Sequence, residues 1–186
     1  MISLKVELLL DFRPCSSVVE QYPEKVCVVC AIQTKATTKM SKKEFYKIFK
    51  PELTPKKMLE FGVFGGSYFI DGDTKEFPKE WFKKAKISKT FDVDLNCFKI
   101  ESGLSRKEWI EKGWIFKQDP LGWFQWYCRF KNGRRIPEID LIQIKRWKAF
   151  GDRHGPAVKK NCDQGDFQCR RRQRQALLQW AYNPFF

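Results

Sequence analysis

The amino-acid sequence predicts a mainly α-helical protein, with a compact multi-helix domain over residues 51–186 and a small N-terminal α/β appendage over residues 1–50. The length of 186 residues suits one domain plus an appendage. Apolar residues make up 42% of the chain and 29 residues are aromatic, which is enough to bury a core. Helix-start signals recur from Ser41 onward, whereas β-branched and large apolar residues cluster before it.

The appendage is predicted to contain a short hairpin followed by a helix. Residues 4–12 and 25–36 are rich in β-branched and large apolar residues, with polar residues and proline between them. Ser41 with Glu44 then forms a capping box, which is typical of a helix N-terminus.

The helical domain is predicted from start and stop signals. A capping box or a proline at the first helical position marks starts at Thr54-Pro55, Phe77-Pro78, Ser105 with Glu108, Asp119-Pro120 and Ile136-Pro137, and a last helix is expected from about Arg170 to Tyr182. Helices are expected to stop at Gly62, Gly113, Gly133 and Gly151. Function is expected most readily in the long loops 62–77 and 155–168, because loops carry many binding residues.

The net charge of +14 predicts a polyanionic partner. Residues 101–186 carry 18 basic and 9 acidic residues, so most of the excess lies there. No stretch approaches the roughly 20 apolar residues of a membrane span, and the apolar run 8–10 is too short for a signal-peptide core. We therefore expect an intracellular protein, nuclear or cytoplasmic, without a membrane partner.

Several long polar side chains interrupt predicted apolar helix faces. Gln125 and Arg129 fall in an aromatic helix, and Gln143 and Arg146 lie on the apolar stripe of the next helix. A half-buried guanidinium requires a carboxylate, a phosphate or carbonyl groups. Arg146 and Arg174 are therefore expected either in an anion site or in pairs with Asp119, Glu138 or Asp140 within the fold.

The start of the last helix is unusually basic. The run Arg170-Arg171-Arg172-Gln173-Arg174 places cations at a helix N-terminus, where the macrodipole disfavours each by roughly 0.3–1 kcal/mol. Such local conflict often marks function. The expected nucleic-acid or anion-binding residues are Arg129, Arg134, Arg135, Arg146, Arg170, Arg171, Arg172, Arg174, Gln125 and Gln143.

The aromatic run 123–130 has two interpretations. Its rings cover most of the helix circumference, which favours packing in the core over a base-stacking platform.

The seven cysteines are expected to be reduced thiols, because an odd number without a secretory signal does not indicate a disulfide framework. Cys27 and Cys30 are expected to be core thiols rather than a zinc half-site. No metal site is favoured. The remaining metal candidates are His154, Cys162 and Cys169, with Cys128 as a fourth ligand, although their spacing matches no common zinc signature.

The candidate catalytic residues are Asp71, Asp119 and His154. Asp71 follows the segment Phe61–Ile70, whose Gly65-Gly66 pair permits close approach of a partner, although a plain turn is the favoured interpretation. This segment is neither a Walker loop nor a dinucleotide fingerprint, and no cofactor is expected.

A set of motifs rich in Trp, Gly and Arg runs through roughly residues 54–183. The motifs are Leu59-Glu60-Phe61-Gly62-Val63-Phe64-Gly65-Gly66, Tyr68-Phe69, Glu76-Phe77-Pro78, Asp119-Pro120-Leu121-Gly122-Trp123-Phe124-Gln125-Trp126-Tyr127-Cys128-Arg129, Gly133-Arg134-Arg135, Gln143-Ile144-Lys145-Arg146-Trp147, Arg153-His154, Asn161-Cys162, Arg172-Gln173-Arg174-Gln175-Ala176-Leu177-Leu178 and Trp180-Ala181-Tyr182. On these motifs the chain resembles a widespread family of small, basic, Trp- and Arg-rich proteins for which no activity is established. The chain departs at Phe130-Lys131-Asn132, where the family favours tyrosine, and at Arg171, where it favours proline. The resemblance implies a domain boundary and no mechanism.

Three functions follow from the sequence. The leading hypothesis is a basic protein that contacts the phosphates of DNA or RNA through its C-terminal arginines. The alternative is an enzyme acting on nucleic acid, glycosylase- or nuclease-like, in which Gln125, Arg129, Gln143, Arg146 and Arg174 converge beside a carboxylate. The third is a structural or interaction subunit with an acidic protein partner.

Overall fold

The computed structural model describes residues 46–70, 72 and 74–186. The two predicted strands, the Ser41 capping box, the Cys27-Cys30 pair and Asp71 all lie outside the described residues. The appendage and the domain boundary at residue 50 therefore stay predictions.

The described residues are mainly helical, as predicted. Residues 46–48 are helical, and five α-helices follow: α1 (Pro55–Phe61), α2 (Arg106–Glu111), α3 (Trp123–Lys131), α4 (Pro137–Asn161) and α5 (Arg171–Gln179). Three short 3₁₀ turns lie between α1 and α2, at Phe64–Gly66, Lys79–Trp81 and Val93–Leu95. The described ranges contain no β-strand. They also contain no helix that is long and apolar enough to cross a membrane.

Side-chain caps or a proline at the first helical position mark three of the helix starts. The Thr54 hydroxyl accepts a hydrogen bond from Lys57 N at 3.2 Å, with Pro55 as the first residue of α1. Ser105 and Glu108 form the predicted capping box at α2. The predicted start at Ile136-Pro137 is also confirmed, because α4 begins at Pro137.

Two predicted starts differ from the structure. Pro78 precedes only the 3₁₀ turn Lys79–Trp81. The helix expected from Pro120 begins three residues later, at Trp123, because Asp119 is buried in ion pairs and its carbonyl accepts a hydrogen bond from Gly122 N at 2.8 Å. Gly122 has a φ of 96°, a conformation that disfavours any other residue.

The predicted stop at Gly151 is wrong, and the predicted loop 155–168 begins only after Asn161. Helix α4 continues through Gly151 and Pro156 to Asn161. The glycine is required by packing, because a Cβ at position 151 would lie 2.1 Å from the ring of Tyr182. That ring stacks on Trp147 at 4.9 Å, and its hydroxyl donates a hydrogen bond to Trp147 O at 3.0 Å.

The aromatic run of α3 lies in the core, which confirms the packing interpretation. Trp126, Tyr127 and Cys128 are completely buried. The ring of Phe49 contacts Trp126, Tyr127, Phe130 and Trp147 at centroid distances of 4.9–5.6 Å. Such ring pairs add to the free energy of burial.

One buried carboxylate satisfies polar groups within this aromatic core. Asp140 accepts hydrogen bonds from Trp126 Nε1 at 2.8 Å, from Tyr46 Oη at 3.0 Å and from Ile136 N at 3.0 Å. Burial and this carboxylate together raise the pKa of Tyr46 to about 12. The Asp140 carboxylate is thus paired within the fold with two ring donors and one backbone N–H.

A stripe of polar side chains on α5 holds the irregular segment 62–105. Arg171, Gln175 and Gln179 are spaced four residues apart, so they lie on one helix face. Each forms hydrogen bonds with backbone atoms of that segment, whose described residues form no helix longer than a 3₁₀ turn. The bonds join Arg171 to Phe98 O and Lys99 O, Gln175 to Phe98 N and Gly62 O, and Gln179 to Ser102 O.

Replacing Gly151 by alanine tests the packing of Tyr182 against α4. We expect Gly151→Ala to lower the free energy of unfolding by about 1–3 kcal/mol, the usual cost of overpacking. The matched control is Gly155→Ala in the same helix, where a Cβ meets nothing within 4 Å. Alanine has a higher helix propensity than glycine, but Pro156 restricts the backbone of the residue before it. We therefore expect only a small net change in the free energy of unfolding of Gly155→Ala. Urea unfolding measures both, and equal effects would contradict the packing role.

Candidate nucleic-acid interface

Arg174 is completely buried at the start of α5 and is paired with carbonyl groups. Its guanidinium donates hydrogen bonds to the carbonyl oxygens of Cys169 at 3.0 Å, Asp166 at 3.1 Å, Phe186 at 3.5 Å and Pro184. Its charge also lies 5.5 Å from the centroid of the Phe167 ring and 5.3 Å from that of Phe186. Arg174 therefore joins α5 to the preceding loop and to the C-terminal residues, and it is not exposed to an anionic ligand.

Arg146 is likewise held by oxygen atoms of the protein. Its Nη1 donates hydrogen bonds to Trp114 O at 2.9 Å and to Gln143 Oε1 at 3.3 Å. The guanidinium lies 5.3 Å from the centroid of the Phe116 ring. Burial lowers the pKa of Arg146 to about 10, so it remains charged at neutral pH. The expected pairing of Arg146 or Arg174 with Asp119, Glu138 or Asp140 is wrong, because carbonyl oxygens take that place.

Asp119 is the centre of a buried ion-pair network. Its carboxylate is completely buried and lies 3.1 Å from Arg129 Nη1 and 2.6 Å from Arg134 Nη2. Arg129 also binds Glu76 through two hydrogen bonds of 2.7 Å. Both arginines additionally bind the carbonyl oxygen of Gln118. Two of the expected phosphate ligands are therefore neutralised, and Asp119 serves the structure rather than an open catalytic site.

The two glutamines are buried and bonded separately. Gln125 Oε1 accepts a hydrogen bond from Leu121 N at 2.9 Å. Gln143 is bonded to Arg146, and its Nε2 has no partner among the described residues. Neither lines the cavity described below. The expected convergence of Gln125, Arg129, Gln143, Arg146 and Arg174 beside a carboxylate is thus absent from the described structure, because each is bonded at a separate place.

The remaining arginines are more accessible. Arg170 is exposed and donates a hydrogen bond to Gln173 Oε1 at 2.7 Å, while Arg172 is exposed and its guanidinium has no partner among the described residues. Arg171 is half-buried against the carbonyl oxygens that α5 holds. Arg135 is exposed, and its guanidinium lies 3.7 Å from the centroid of the Phe130 ring. None of these four forms an ion pair with a described carboxylate.

The four metal-ligand candidates make other contacts in the structure. Cys162 and Cys169 form a disulfide, so the expectation of reduced thiols is wrong for this pair and neither sulfur is a free thiolate. Cys128 is a buried thiol whose pKa burial raises. His154 packs on Phe150 at 4.3 Å and lies 3.4 Å from Gln173 Nε2. The described residues contain no group of three side chains able to hold a metal ion.

An aromatic cavity of about 460 Å³ opens where the segments 64–70 and 101–106 meet the ends of α3 and α5. Two groups of three packed rings line it: Trp109, Trp123 and Trp180, and Phe64, Tyr68 and Phe124. In the first group, the centroid of the Trp180 ring lies 4.8 Å from that of Trp123 and 6.0 Å from that of Trp109. In the second group, the ring centroids are 4.6–5.4 Å apart.

Hydrogen bonds fix the parts that form this cavity. The Tyr68 hydroxyl donates to Leu121 O at 2.5 Å and accepts from Gln125 N at 3.0 Å, which joins the first segment to α3. Burial raises the pKa of Tyr68, so its hydroxyl stays protonated. Gln179 Nε2 donates to Ser102 O at 3.2 Å, which joins α5 to the second segment.

The cavity was not predicted from the sequence, although parts of it carry sequence signals. Tyr68 lies in the loop 62–77, where function was expected. The capping box at Ser105 places Trp109 on a helix, and the four-residue spacing of Arg171, Gln175 and Gln179 marks a polar face of α5. Only the folded chain brings these separate segments together.

Arg174 can be distinguished from Arg172 by substitution with methionine. We expect Arg174→Met to lower the free energy of unfolding by roughly 3 kcal/mol, since buried carbonyl oxygens lose their donors. Arg172→Met removes the same charge from an exposed position, and we expect a change within about 0.5 kcal/mol. Denaturant unfolding of both variants is the measurement. A stable Arg174→Met protein would show that the buried guanidinium is dispensable to the fold.

His154 gives the stability of the protein a pH dependence. Burial, assisted by the charge of Arg153, lowers the pKa of His154 below its usual value of about 6.5. The unfolded chain therefore binds this proton more readily than the folded chain. The free energy of unfolding should fall as the pH decreases from about 6.5 towards the lowered pKa. We expect the free energy of unfolding of His154→Gln to fall less between about pH 7 and pH 5 than that of the original protein. Urea unfolding at several pH values measures both. Identical pH profiles for the two proteins would refute this role of His154.

Comparison with known proteins places the chain in no group: no protein-family model, curated protein or solved structure matches it. The family resemblance seen in the sequence therefore stays a prediction.

Proposed function

We propose that this protein binds nucleic acid and that exposed basic side chains at the start of α5 and the end of α4 contact the phosphates. The observation that carries the proposal is that Arg170 and Arg172 are exposed and have no carboxylate partner among the described residues. The other arginines of the sequence prediction are buried, neutralised or engaged with carbonyl oxygens and rings, as described above.

The distribution of charge supports this proposal. The described residues include 29 Lys and Arg against 15 Asp and Glu, so they carry the entire net charge of +14. Arg153 and Lys160 are exposed on the last three turns of α4, next to α5. The contact between His154 and Gln173 joins these two helix ends. A cluster of this kind suits a phosphate backbone, because each neutralised phosphate releases condensed counterions.

The enzyme alternative has less support. Its expected constellation is dispersed, and Asp119 is enclosed by Arg129 and Arg134. An acidic protein partner fits the same surface charge, and the binding experiment separates it from nucleic acid.

The test is the salt dependence of binding to labelled single- and double-stranded DNA and RNA, followed by fluorescence anisotropy. We expect affinity to fall steeply with salt, and the double variant Arg170→Gln with Arg172→Gln to reduce the slope by about one for each lost phosphate contact. Glutamine keeps the length of the side chain and removes its charge.

The matched control is Lys83→Ala with Lys84→Ala, which removes two exposed charges outside α4 and α5. This variant should leave the slope closer to that of the original protein. Equal slopes for all three proteins would refute the proposed contacts. Absence of binding at low salt would refute nucleic-acid binding and favour an acidic protein partner, whereas cleavage or base loss would favour the enzyme.

A further inference from the structure

We infer that the aromatic cavity between α3 and α5 binds an unpaired nucleobase of a single strand. The inference rests on the proposed function, because it names the part of the nucleic acid that the protein recognises. A base stacked in the cavity and phosphates on the basic surface would be two contacts of one strand.

The lining of the cavity suits a flat aromatic ligand. The half-buried rings of Trp109, Trp180 and Tyr68 line the cavity together with the buried Trp123 and Phe124. Bases stack on aromatic side chains regardless of their sequence, since every base has a π-face. The volume of about 460 Å³ also falls in the range of small-molecule sites, roughly 300–1,000 Å³.

An unused hydrogen-bond acceptor is present in the same cavity. Gln179 is only 7% exposed and lines the cavity, with its Nε2 bonded to Ser102 O. No described residue donates a hydrogen bond to its Oε1. This oxygen is therefore free to accept a hydrogen bond from a ligand, and an exocyclic amine or ring N–H of a base would supply one.

Gly103 keeps this acceptor approachable. A Cβ at position 103 would lie 3.3 Å from Gln179 Oε1, and the φ of 88° disfavours any other residue there. The indole nitrogens of Trp109 and Trp180 also have no described partner, so they are further donors for a polar ligand edge.

The cavity is connected to the basic surface. Ser102 lines the cavity, and its hydroxyl donates a hydrogen bond to Arg172 O at 2.8 Å. Arg106 also lines the cavity. A strand with one base in the cavity would therefore pass close to the arginine that the proposed function assigns to phosphate.

Three exposed apolar side chains also line the cavity. Ile70, Phe91 and Leu104 line it and are 53%, 49% and 44% exposed. Large apolar side chains exposed together at a concave site are typical of a ligand-binding surface. Combined with the surplus of positive charge, they favour a ligand that is flat and apolar in one part and anionic in another.

The experiment compares two single-stranded oligonucleotides of equal length and charge. One consists only of abasic sugar-phosphate units, and the other carries a single adenine at its centre. We expect the adenine to tighten binding by about 5- to 150-fold, the value of one stacked base. Trp109→Ala and Gln179→Leu should reduce this difference without changing the salt slope. Circular dichroism checks that each variant folds, and Trp109→Leu, which keeps an apolar side chain without an aromatic face, replaces Trp109→Ala if the alanine variant does not fold.

The control variant is Trp81→Ala, a half-buried tryptophan outside the cavity that stacks on Phe77. It should keep the full difference between the two oligonucleotides. If Trp81→Ala and Trp109→Ala reduced the difference equally, a general loss of structure would explain both and the inference would be overturned.

The remaining outcomes separate the inference from the proposed function. Equal, salt-sensitive binding of the two oligonucleotides would overturn the base site and leave phosphate binding intact. If neither oligonucleotide bound, the proposed function would fail, and adenosine alone would then test the cavity. Quenching of tryptophan fluorescence by adenosine that is weaker in Trp109→Phe than in the original protein would support the site, whereas no quenching would overturn it.

Discussion

The fold depends on buried polar side chains of α5 that take the place of regular secondary structure elsewhere. The described residues between 62 and 105 form only short 3₁₀ turns, so many of their backbone groups need partners outside the segment. Arg171, Gln175 and Gln179 supply such partners from one helix face. Arg174 does the same for the loop before α5 and for the C-terminal residues. A nine-residue helix therefore organises segments up to 113 residues away in sequence.

This role of α5 gives a structural explanation for part of the arginine-rich sequence. Four cations at a helix N-terminus conflict with the macrodipole, and that conflict suggested a ligand. In the structure, Arg174 and Arg171 are bonded to carbonyl oxygens, which explains two of the four without any ligand. The conflict is left unexplained only at Arg170 and Arg172, and the proposed function therefore concentrates on them.

The aromatic cavity follows from the same arrangement. Gln179 and Trp180 lie at the end of α5, and the bond from Gln179 to Ser102 brings the segment 101–106 beside them. Tyr68 joins the other lining segment to α3 through Leu121 and Gln125. The hydrogen bonds that compensate for missing secondary structure thus also shape a concave surface lined by rings, and the proposed phosphate and base contacts meet there.

Composition and short-range patterns are enough to predict the mainly helical fold, the helix starts at Thr54, Ser105 and Pro137, the core position of the aromatic run and the net charge. These features depend on composition or on contacts within about four residues, which a local pattern records. Other features depend on the folded chain as a whole. Gly151 makes room for Tyr182, and Asp119 delays the start of α3. Long-range contacts also decide which arginines stay exposed and bring Trp109, Tyr68 and Gln179 into one cavity. Those outcomes depend on pairs far apart in the chain, such as Gln175 with Gly62, and the choice among many competing long-range partners is made by packing and desolvation of the whole fold.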